Sequence, residues 1–410
     1  MIAVLAGSLE TMLLTSAASL LAAAKLRVVG RSKKPSFNAD VKQSRINEFR
    51  RQLHAQHVTD IFSFACIATG MAFLGSLGGS VSLETIHATL LESYQPERLD
   101  LLVGDGSILG IAAIVLIFVG TAAAFGLFPM HGVVQNAFES SPAGIAGSTA
   151  VFQRLQAAVI LWKTAVTSMP GFETTTQMMC IVFGTCACLA GSILTCRSQS
   201  LRSVTGNLWI TWGGVVLVAA AAGMSVEAPT NIQTSWQLPN GLETAAFSLV
   251  ISAAAIGLLL MSERWLSDTE HSIDFAEDVT GLGQQRGLVA LAIACSLLTL
   301  SAIPPLPGFW CTTFVIGNAF IPKVESAKGA ALVPTTSVLC STIILLISLL
   351  IVAARSVHFL SLMFHHEPIR RFDIRDGNIP AAISLTVSGI LIWVGFNVGT
   401  VLTWFHRLPL

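Results

Sequence analysis

Residues 287–321 read GLVALAIACSLLTLSAIPPLPGFWCTTFVIGNAFI. The run contains no charged residue, and it is longer than the ~20 residues that cross the ~30 Å hydrocarbon core of a bilayer. Its middle holds Pro304, Pro305, Pro307 and Gly308. Because proline lacks a backbone donor and disrupts the turn before it, the run predicts a transmembrane helix that is broken near its centre.

The composition of the whole chain is that of a membrane protein. Of its 410 residues, 53% are hydrophobic and 11% are charged, and the mean hydropathy is +0.71. Soluble domains carry roughly 25% charged residues. Backbone polar groups in lipid must be hydrogen bonded within their own segment, so the apolar runs are expected to be helices. The net charge of zero gives no argument for nucleic acid, and the expected surroundings are the lipid bilayer.

About ten apolar runs are long enough to span a membrane. They lie at about 2–24, 59–82, 106–128, 143–167, 174–196, 203–224, 243–261, 287–321, 331–355 and 379–404. The third run ends in a second proline break, at Pro129. Interrupted helices in separate halves of a chain are typical of inverted-repeat transporters, and prolines that merely kink ordinary transmembrane helices are the alternative.

Basic residues are concentrated in alternate loops, which predicts that these loops are cytoplasmic and that both termini lie outside. The most basic loop, 25–58, holds Lys25, Arg27, Arg31, Lys33, Lys34, Lys42, Arg45, Arg50 and Arg51. The opposite loop at 84–105 is acidic, with Arg98 as its one basic residue. Orientation and contact with lipid headgroups account for the basic loop better than nucleic acid does.

Neither a metal site nor a cofactor site is predicted on this chain. Its eight cysteines lie mostly inside apolar runs and lack the spacing of zinc or iron–sulfur ligands. No G-x-G-x-x-G pattern follows a predicted strand. Met1 leads directly into an apolar run that contains Glu10, without the basic region that opens a signal peptide.

Four stretches carry a recognisable pattern in consistent order: GSLE at 7–10, FPMHGVVQNAFESSP at 128–142, QSLRSVTGNLWITWGG at 199–214, and LSAIPPLPGF at 300–309. They resemble signatures of the antiporter-like membrane subunits of respiratory complex I, NADH:quinone oxidoreductase. The most similar member is subunit N, called subunit 2 in mitochondria and chloroplasts. In the second stretch, Pro129, His131, Glu139 and Pro142 fall in register with the signature without a gap.

The resemblance implies an all-α membrane fold with two inverted five-helix repeats and broken helices near Pro129 and Pro304–Pro307. The family has fourteen helices, so this chain is expected to lack the first four, through either a short natural chain or a start assigned too late. The first repeat is then 1–167, including the basic cytoplasmic loop 25–58, and the second is 168–355. Residues 356–410 form a cytoplasmic loop and the last transmembrane helix.

The resemblance also implies a line of buried charges that carries protons. Glu10 matches the family's glutamate, and an ionisable residue inside the membrane is functional by default. Family lysines correspond to Ala124, Arg154 and Thr312, so two of these positions have lost their charge. Arginine, with a pKa above ~12, keeps its proton. An outer-interface location for Glu10 and a lipid-phosphate contact for Arg154 are the alternatives.

Two further ionisable residues lie near this line. His131 sits at the first break, and histidine side chains exchange protons near neutral pH. We therefore take Glu10, Arg154 and His131 as the candidate proton-pathway residues. Lys163 lies nine residues after Arg154, about 13 Å along an ideal helix and on its opposite face, and snorkelling to the interface is its favoured interpretation.

The favoured function is a membrane-arm subunit of a proton-translocating NADH:quinone oxidoreductase in a bacterial inner membrane. Other membrane-arm subunits are its expected partners, and NADH, flavin, iron–sulfur clusters and quinone are expected in partner subunits. The chain would belong to a translocase enzyme without catalysing redox chemistry itself. The alternatives are a non-pumping structural subunit, a subunit of a cation/proton antiporter of the same fold, and an unrelated solute carrier.

Overall fold

The computed structural model describes residues 39–80, 82–93, 105–127, 130–140, 154–166, 172–223, 239–266, 279–320, 335–367 and 378–405. Every element within these ranges is a helix, which confirms the predicted all-α class. The predicted first span at 2–24, with Glu10, lies outside the described residues, as does Pro129.

The chain divides into two compact units. The first unit comprises residues 1–141 and 148–179, and the second comprises 142–147 and 180–410. The predicted boundary between 167 and 168 stays a prediction, since residues 167–171 lie outside the described part.

The helices up to the unit boundary are α1 Ala39–Gly78, α2 Leu83–Ser93, α3 Asp105–Phe125, α4 His131–Ser140 and α5 154–161, which continues as a π-helical turn at Trp162–Val166. The boundary falls within α6, Glu173–Arg197. The second unit continues with α7 Leu201–Gly223, α8 Gly241–Leu266, α9 Leu282–Gln285, α10 Gly287–Leu300, α11 Pro307–Phe320, α12 Thr335–His365, α13 Asn378–Phe396 and α14 Val398–Phe405.

Six described helices are long and apolar enough to cross a membrane: His54–Gly78, Ile108–Phe125, Glu173–Arg197, Leu201–Gly223, Gly241–Glu263 and Thr336–His365. Gly287–Leu300 and Ala382–Phe396 are shorter apolar helices. The predicted fourth span, 143–167, is described only from residue 154.

Helix α1 begins earlier than the sequence analysis expects. It is helical from Ala39, so the latter part of the predicted loop 25–58 is a helical extension of the second span. The sequence accounts for this, because no proline or glycine stands between Pro35 and Gly70 and nothing there interrupts the backbone hydrogen bonds.

The predicted break near Pro129 is confirmed, but the helix ends at a glycine before the proline. Gly126 has a φ of +69°, and its N–H donates to the Ala123 carbonyl while the Leu127 N–H donates to the Ala122 carbonyl. These two bonds form a Schellman motif, which uses a left-handed glycine just after the last helical residue. The chain becomes helical again at His131.

The predicted break at Pro304–Pro307 is also confirmed. Helix α10 ends at Leu300 and α11 begins at Pro307, where the missing proline N–H would have no intrahelical partner in any case. Between them, Ala302 adopts a φ of +54°, and the Pro304–Pro305 peptide is cis. The predicted tenth span differs slightly, because it divides into α13 and α14 at Asn397. The Asn397 side chain donates to the Trp393 carbonyl and so competes with the regular backbone pattern.

Close helix contacts in both units depend on small residues. In the first unit, a Cβ on Gly120 of α3 would approach the Ser63 carbonyl of α1 to 2.8 Å, and the Ser63 hydroxyl donates to the Gly120 carbonyl at 2.7 Å. In the second unit, a Cβ on Gly191 of α6 would lie 2.9 Å from the Asn207 carbonyl of α7. Helix α7 is buried along its whole span and forms the core of this unit, as small-residue packing in membranes allows.

Candidate functional site

Arg154 is one of two charged side chains that are fully buried in the described part of the chain; the other is Glu263. It lies at the start of α5, in the first unit. One guanidinium nitrogen, Nη2, donates to the Phe125 carbonyl at 3.3 Å. The guanidinium carbon also lies 5.4 Å from the centroid of the Phe125 ring, which is within the range of a cation–π contact.

The carbonyl that Arg154 contacts needs a donor from outside its own helix. Residue 129, four positions after Phe125, is proline, and proline has no N–H to complete the next helical bond. The positive guanidinium also suits the negative end of the α3 dipole. Arg154 therefore caps the broken end of α3.

The same contact brings together two of the three positions at which the sequence analysis expects a family lysine. Ala124 is the residue before Phe125 on α3, so the guanidinium of Arg154 lies at the backbone next to this position. His131 opens α4 after the break and is half-buried. Glu10, the fourth residue of the expected charge line, lies outside the described residues.

Thr312 belongs to the second unit and is buried in the first turns of α11. Its hydroxyl lies 2.8 Å from the Phe309 carbonyl, to which it donates. The hydroxyl therefore bonds within its own helix, a common arrangement for threonine in membrane helices.

Side chains from neighbouring helices support the backbone at the break before Thr312. The Trp212 indole N–H of α7 donates to the Leu300 carbonyl at 2.8 Å, and the Ser301 hydroxyl donates to Ser356 of α12 at 2.7 Å. The Trp310 indole N–H donates to the Gly395 carbonyl of α13 at 2.8 Å. The Trp212 bond satisfies a carbonyl that the interrupted helix leaves open, and the other two bonds connect the break to α12 and α13.

A second charged position lies at one end of the second unit. Arg202, in the first turn of α7, forms a salt bridge with Glu263, in the last turns of α8. The Glu263 side chain is 2% exposed and that of Arg202 is 19% exposed. Sequence reasoning missed Glu263, although a carboxylate at the end of an apolar run next to Ser262 was visible.

A hydrogen-bonded group, which we call the Asn207 cluster, consists of Ser198, Ser203 and Asn207. The Asn207 amide donates to the Ser198 hydroxyl at 2.7 Å, and the Ser198 and Ser203 hydroxyls lie 3.0 Å apart. Arg355 of α12 donates to the Ser198 carbonyl. All three members are buried, so a continuous polar group lies inside the second unit.

No group of three or more histidine, cysteine or acidic side chains comes together as metal ligands among the residues that the structure describes. In each unit, the buried charged and hydroxyl side chains described above lie among apolar residues.

Comparison with known proteins identifies the family to which these features belong. Residues 55–340 match the family described as NADH:quinone oxidoreductase/Mrp antiporter, TM. The chain belongs to this family. It is therefore an integral membrane protein with several spans, as its apolar helices indicate.

Individual relatives of the antiporter family are distant in sequence. The chain is 23% identical to NADH-quinone oxidoreductase subunit N of Neisseria gonorrhoeae, over 85% of this chain and 66% of the relative. It is 26% identical to subunit N 2 of Roseiflexus castenholzii, over 82% of this chain and 62% of the relative. It is 25% identical to NAD(P)H-quinone oxidoreductase subunit 2 of a Synechococcus strain, over 59% of this chain and 41% of the relative. The chain thus spans less than two thirds of the length of these relatives.

Solved structures of antiporter-like subunits share the fold. A chain of the Mrp complex from a Dietzia species superposes with a TM-score of 0.74 and 15% identity, covering 98% of this chain and 73% of that one. A chain of respiratory complex I from Thermus thermophilus gives a TM-score of 0.73 at the same identity and coverage. At such identities the likeness concerns the fold alone.

Proposed function

We propose that this chain is a membrane-arm subunit of a proton-translocating quinone oxidoreductase complex in a bacterial inner membrane. The observation that carries the proposal is the fully buried Arg154 at the end of the broken helix α3, in a chain of the antiporter-like family. A buried charge in the membrane is costly and is retained where it pairs or has a function. Other membrane-arm subunits are the proposed partners, and the redox chemistry belongs to partner subunits that hold NADH, flavin, iron–sulfur clusters and quinone.

Within the proposed pathway, Arg154 is a fixed charge rather than a proton carrier. Its guanidinium keeps its proton, so it stabilises a nearby carboxylate or repels an arriving proton. Glu10 and His131 are the proposed groups that bind and release protons. Movement in neighbouring subunits during electron transfer would change the interaction between these charges. Each such change would make Glu10 or His131 bind or release a proton, so that protons move in one direction.

The test is the proton-to-electron ratio of the assembled complex reconstituted in vesicles. We expect Glu10→Gln to lower this ratio while electron transfer with an uncoupler present continues at the wild-type rate. Glu84→Gln is the matched control, because Glu84 is exposed at the start of α2. An unchanged ratio in Glu10→Gln would remove Glu10 from the pathway.

A second candidate function is a non-pumping structural subunit. It is favoured by the absence of lysine at two positions where the resemblance predicts one. Ala124 has no ionisable group, and the Thr312 hydroxyl is engaged with a carbonyl of its own helix. For this alternative, a complex containing the chain would translocate fewer protons per electron than a complex in which every antiporter-like subunit pumps. A full ratio would rule it out.

A further inference from the structure

Glu263 is the one carboxylate that is fully buried in the described residues, and the helices around it offer it few charges. The main neighbours of α8 are α7, α10, α11 and α13. Three of them, α10, α11 and α13, contain no acidic residue, lysine, arginine or histidine within their bounds, and Arg202 is the single such residue on α7. Arg286 is the N-cap residue of α10. On α8 itself, Glu243 lies at the opposite end, and the side chain of Arg264 is outside the described residues.

Helix stability does not account for the Arg202–Glu263 pair. Arg202 lies in the first turn of α7 and Glu263 lies close to the end of α8. Each charge is therefore at the end of its own helix where the dipole disfavours it. A buried ion pair also gives little stability over apolar side chains of similar size. An ionisable pair retained under these conditions indicates a functional site.

The Asn207 cluster supplies an independent observation beside this pair. Ser203 directly follows Arg202, and Asn207 lies one helical turn further into the membrane on α7. Asn207 is completely buried, and its side-chain oxygen accepts no hydrogen bond within the described part of the chain. A buried acceptor among hydroxyl groups fits a bound water molecule, which needs two or more polar partners.

We propose that Glu263 is a proton-accepting group of the second unit and that Arg202 controls when it accepts. This inference rests on the proposed function and adds a second ionisable site to it. A hydronium ion on the exposed side of Arg202 breaks one O–H bond and becomes water as its proton forms an O–H bond with a carboxylate oxygen of Glu263, and Arg202 keeps its own charge and is released from the pair. The return step breaks that O–H bond, gives the proton to water at the Asn207 cluster, and restores the salt bridge. No electron is transferred in either step.

The most direct test is infrared difference spectroscopy between acidic and alkaline buffer, on the chain purified from its membrane with its copurifying subunits. In the wild type we expect a carbonyl band of a protonated carboxylic acid that appears on acidification. The band should shift in deuterated water, be absent in Glu263→Gln, and persist in the control Glu243→Gln. Identical difference spectra of wild type and Glu263→Gln would overturn the proposal.

Two further variants separate control by Arg202 from a purely structural role. Arg202→Gln removes the positive charge that favours the carboxylate, so the band should persist to more alkaline pH than in the wild type. Glu263→Asp keeps a carboxyl group and should restore a titrating band if Glu263→Gln does not assemble. If the band in Arg202→Gln titrates as in the wild type, Arg202 does not control the site.

Proton translocation then distinguishes failure of this inference from failure of the proposed function. If wild type and Glu263→Gln give the same proton-to-electron ratio, Glu263 is not on the pathway while the proposed function stands. If the Glu263 band titrates but depletion of the whole chain from the complex leaves the ratio unchanged, the proposed function fails and the ionisable site remains.

Discussion

Arg154 combines a structural role with an electrostatic one. It donates to the Phe125 carbonyl, whose regular helical donor is missing because residue 129 is proline. It also places a positive charge beside Ala124, where the resemblance predicts a lysine in the family. Such a charge can replace the electrostatic effect of a lysine but not its ability to release a proton.

Substitution of Arg154 separates these two roles. Arg154→Lys retains a donor and a positive charge and adds a group that can release a proton, so we expect proton translocation at or above the wild-type level. Arg154→Gln removes the charge and should lower the proton-to-electron ratio. The measurement uses reconstituted complexes, with exposed Arg197→Gln as the control. A wild-type ratio in Arg154→Gln would show that the charge at this position has no part in translocation.

Thr312 is expected to be unimportant for proton movement, because its hydroxyl bonds to the Phe309 carbonyl of the same helix. Thr312→Val keeps the shape of the side chain and removes one such bond. We predict a loss of stability below about 1 kcal/mol and an unchanged proton-to-electron ratio. A clear fall in the ratio would mean that the hydroxyl orders water in the pathway.

At the level of helices, the sequence predicted most of the positions at which helices begin or end. Prolines predicted the break between α10 and α11, because a proline has no backbone N–H and disrupts the helical turn directly before it. The exact end of α3 depends on Gly126. The sequence places Gly126 and Pro129 close together, and the pattern alone does not say which of them ends the helix. The extension of α1 to Ala39 was missed because charge was taken to indicate a loop, whereas charged residues form helices readily when no glycine or proline intervenes.

Gly126 should be sensitive to substitution, because its φ of +69° is unfavourable for any residue with a Cβ. We expect Gly126→Ala to destabilise the protein by about 1–2 kcal/mol. Gly132→Ala is the control, since a Cβ on Gly132 would meet no atom within 4 Å. The comparison is the melting temperature of the purified protein in detergent. Equal melting temperatures for the two variants would argue against the Schellman motif.

The Trp212 indole supports the second break by its bond to the Leu300 carbonyl. Trp212→Phe leaves this buried carbonyl without its donor, and we predict a loss of about 1–3 kcal/mol. Trp393→Phe makes the same change at a side chain that is 46% exposed and should have little effect. Thermal unfolding of both variants checks this, and similar melting temperatures would mean that the indole bond contributes little.

Across the molecule, the positions of single charges were visible in the sequence, but their pairing was not. Arg154 and Ala124 were recognised from motif spacing, whereas their approach through Phe125 depends on how α3 and α5 pack. Glu263 stands next to Arg264 at the end of an apolar run, so it had the pattern of an ordinary loop charge. Its salt bridge joins residues that are 61 positions apart, and only the antiparallel packing of α7 and α8 brings them together.

The buried charges are proposed to act within an assembly that includes redox subunits. Affinity purification of the chain from gently solubilised native membranes, followed by mass spectrometry of the copurifying proteins, tests it most directly. We predict that subunits of a quinone oxidoreductase, including redox subunits with flavin or iron–sulfur clusters, copurify in fixed ratio. Recovery of the chain alone, or only with cation/proton antiporter subunits, would contradict the account.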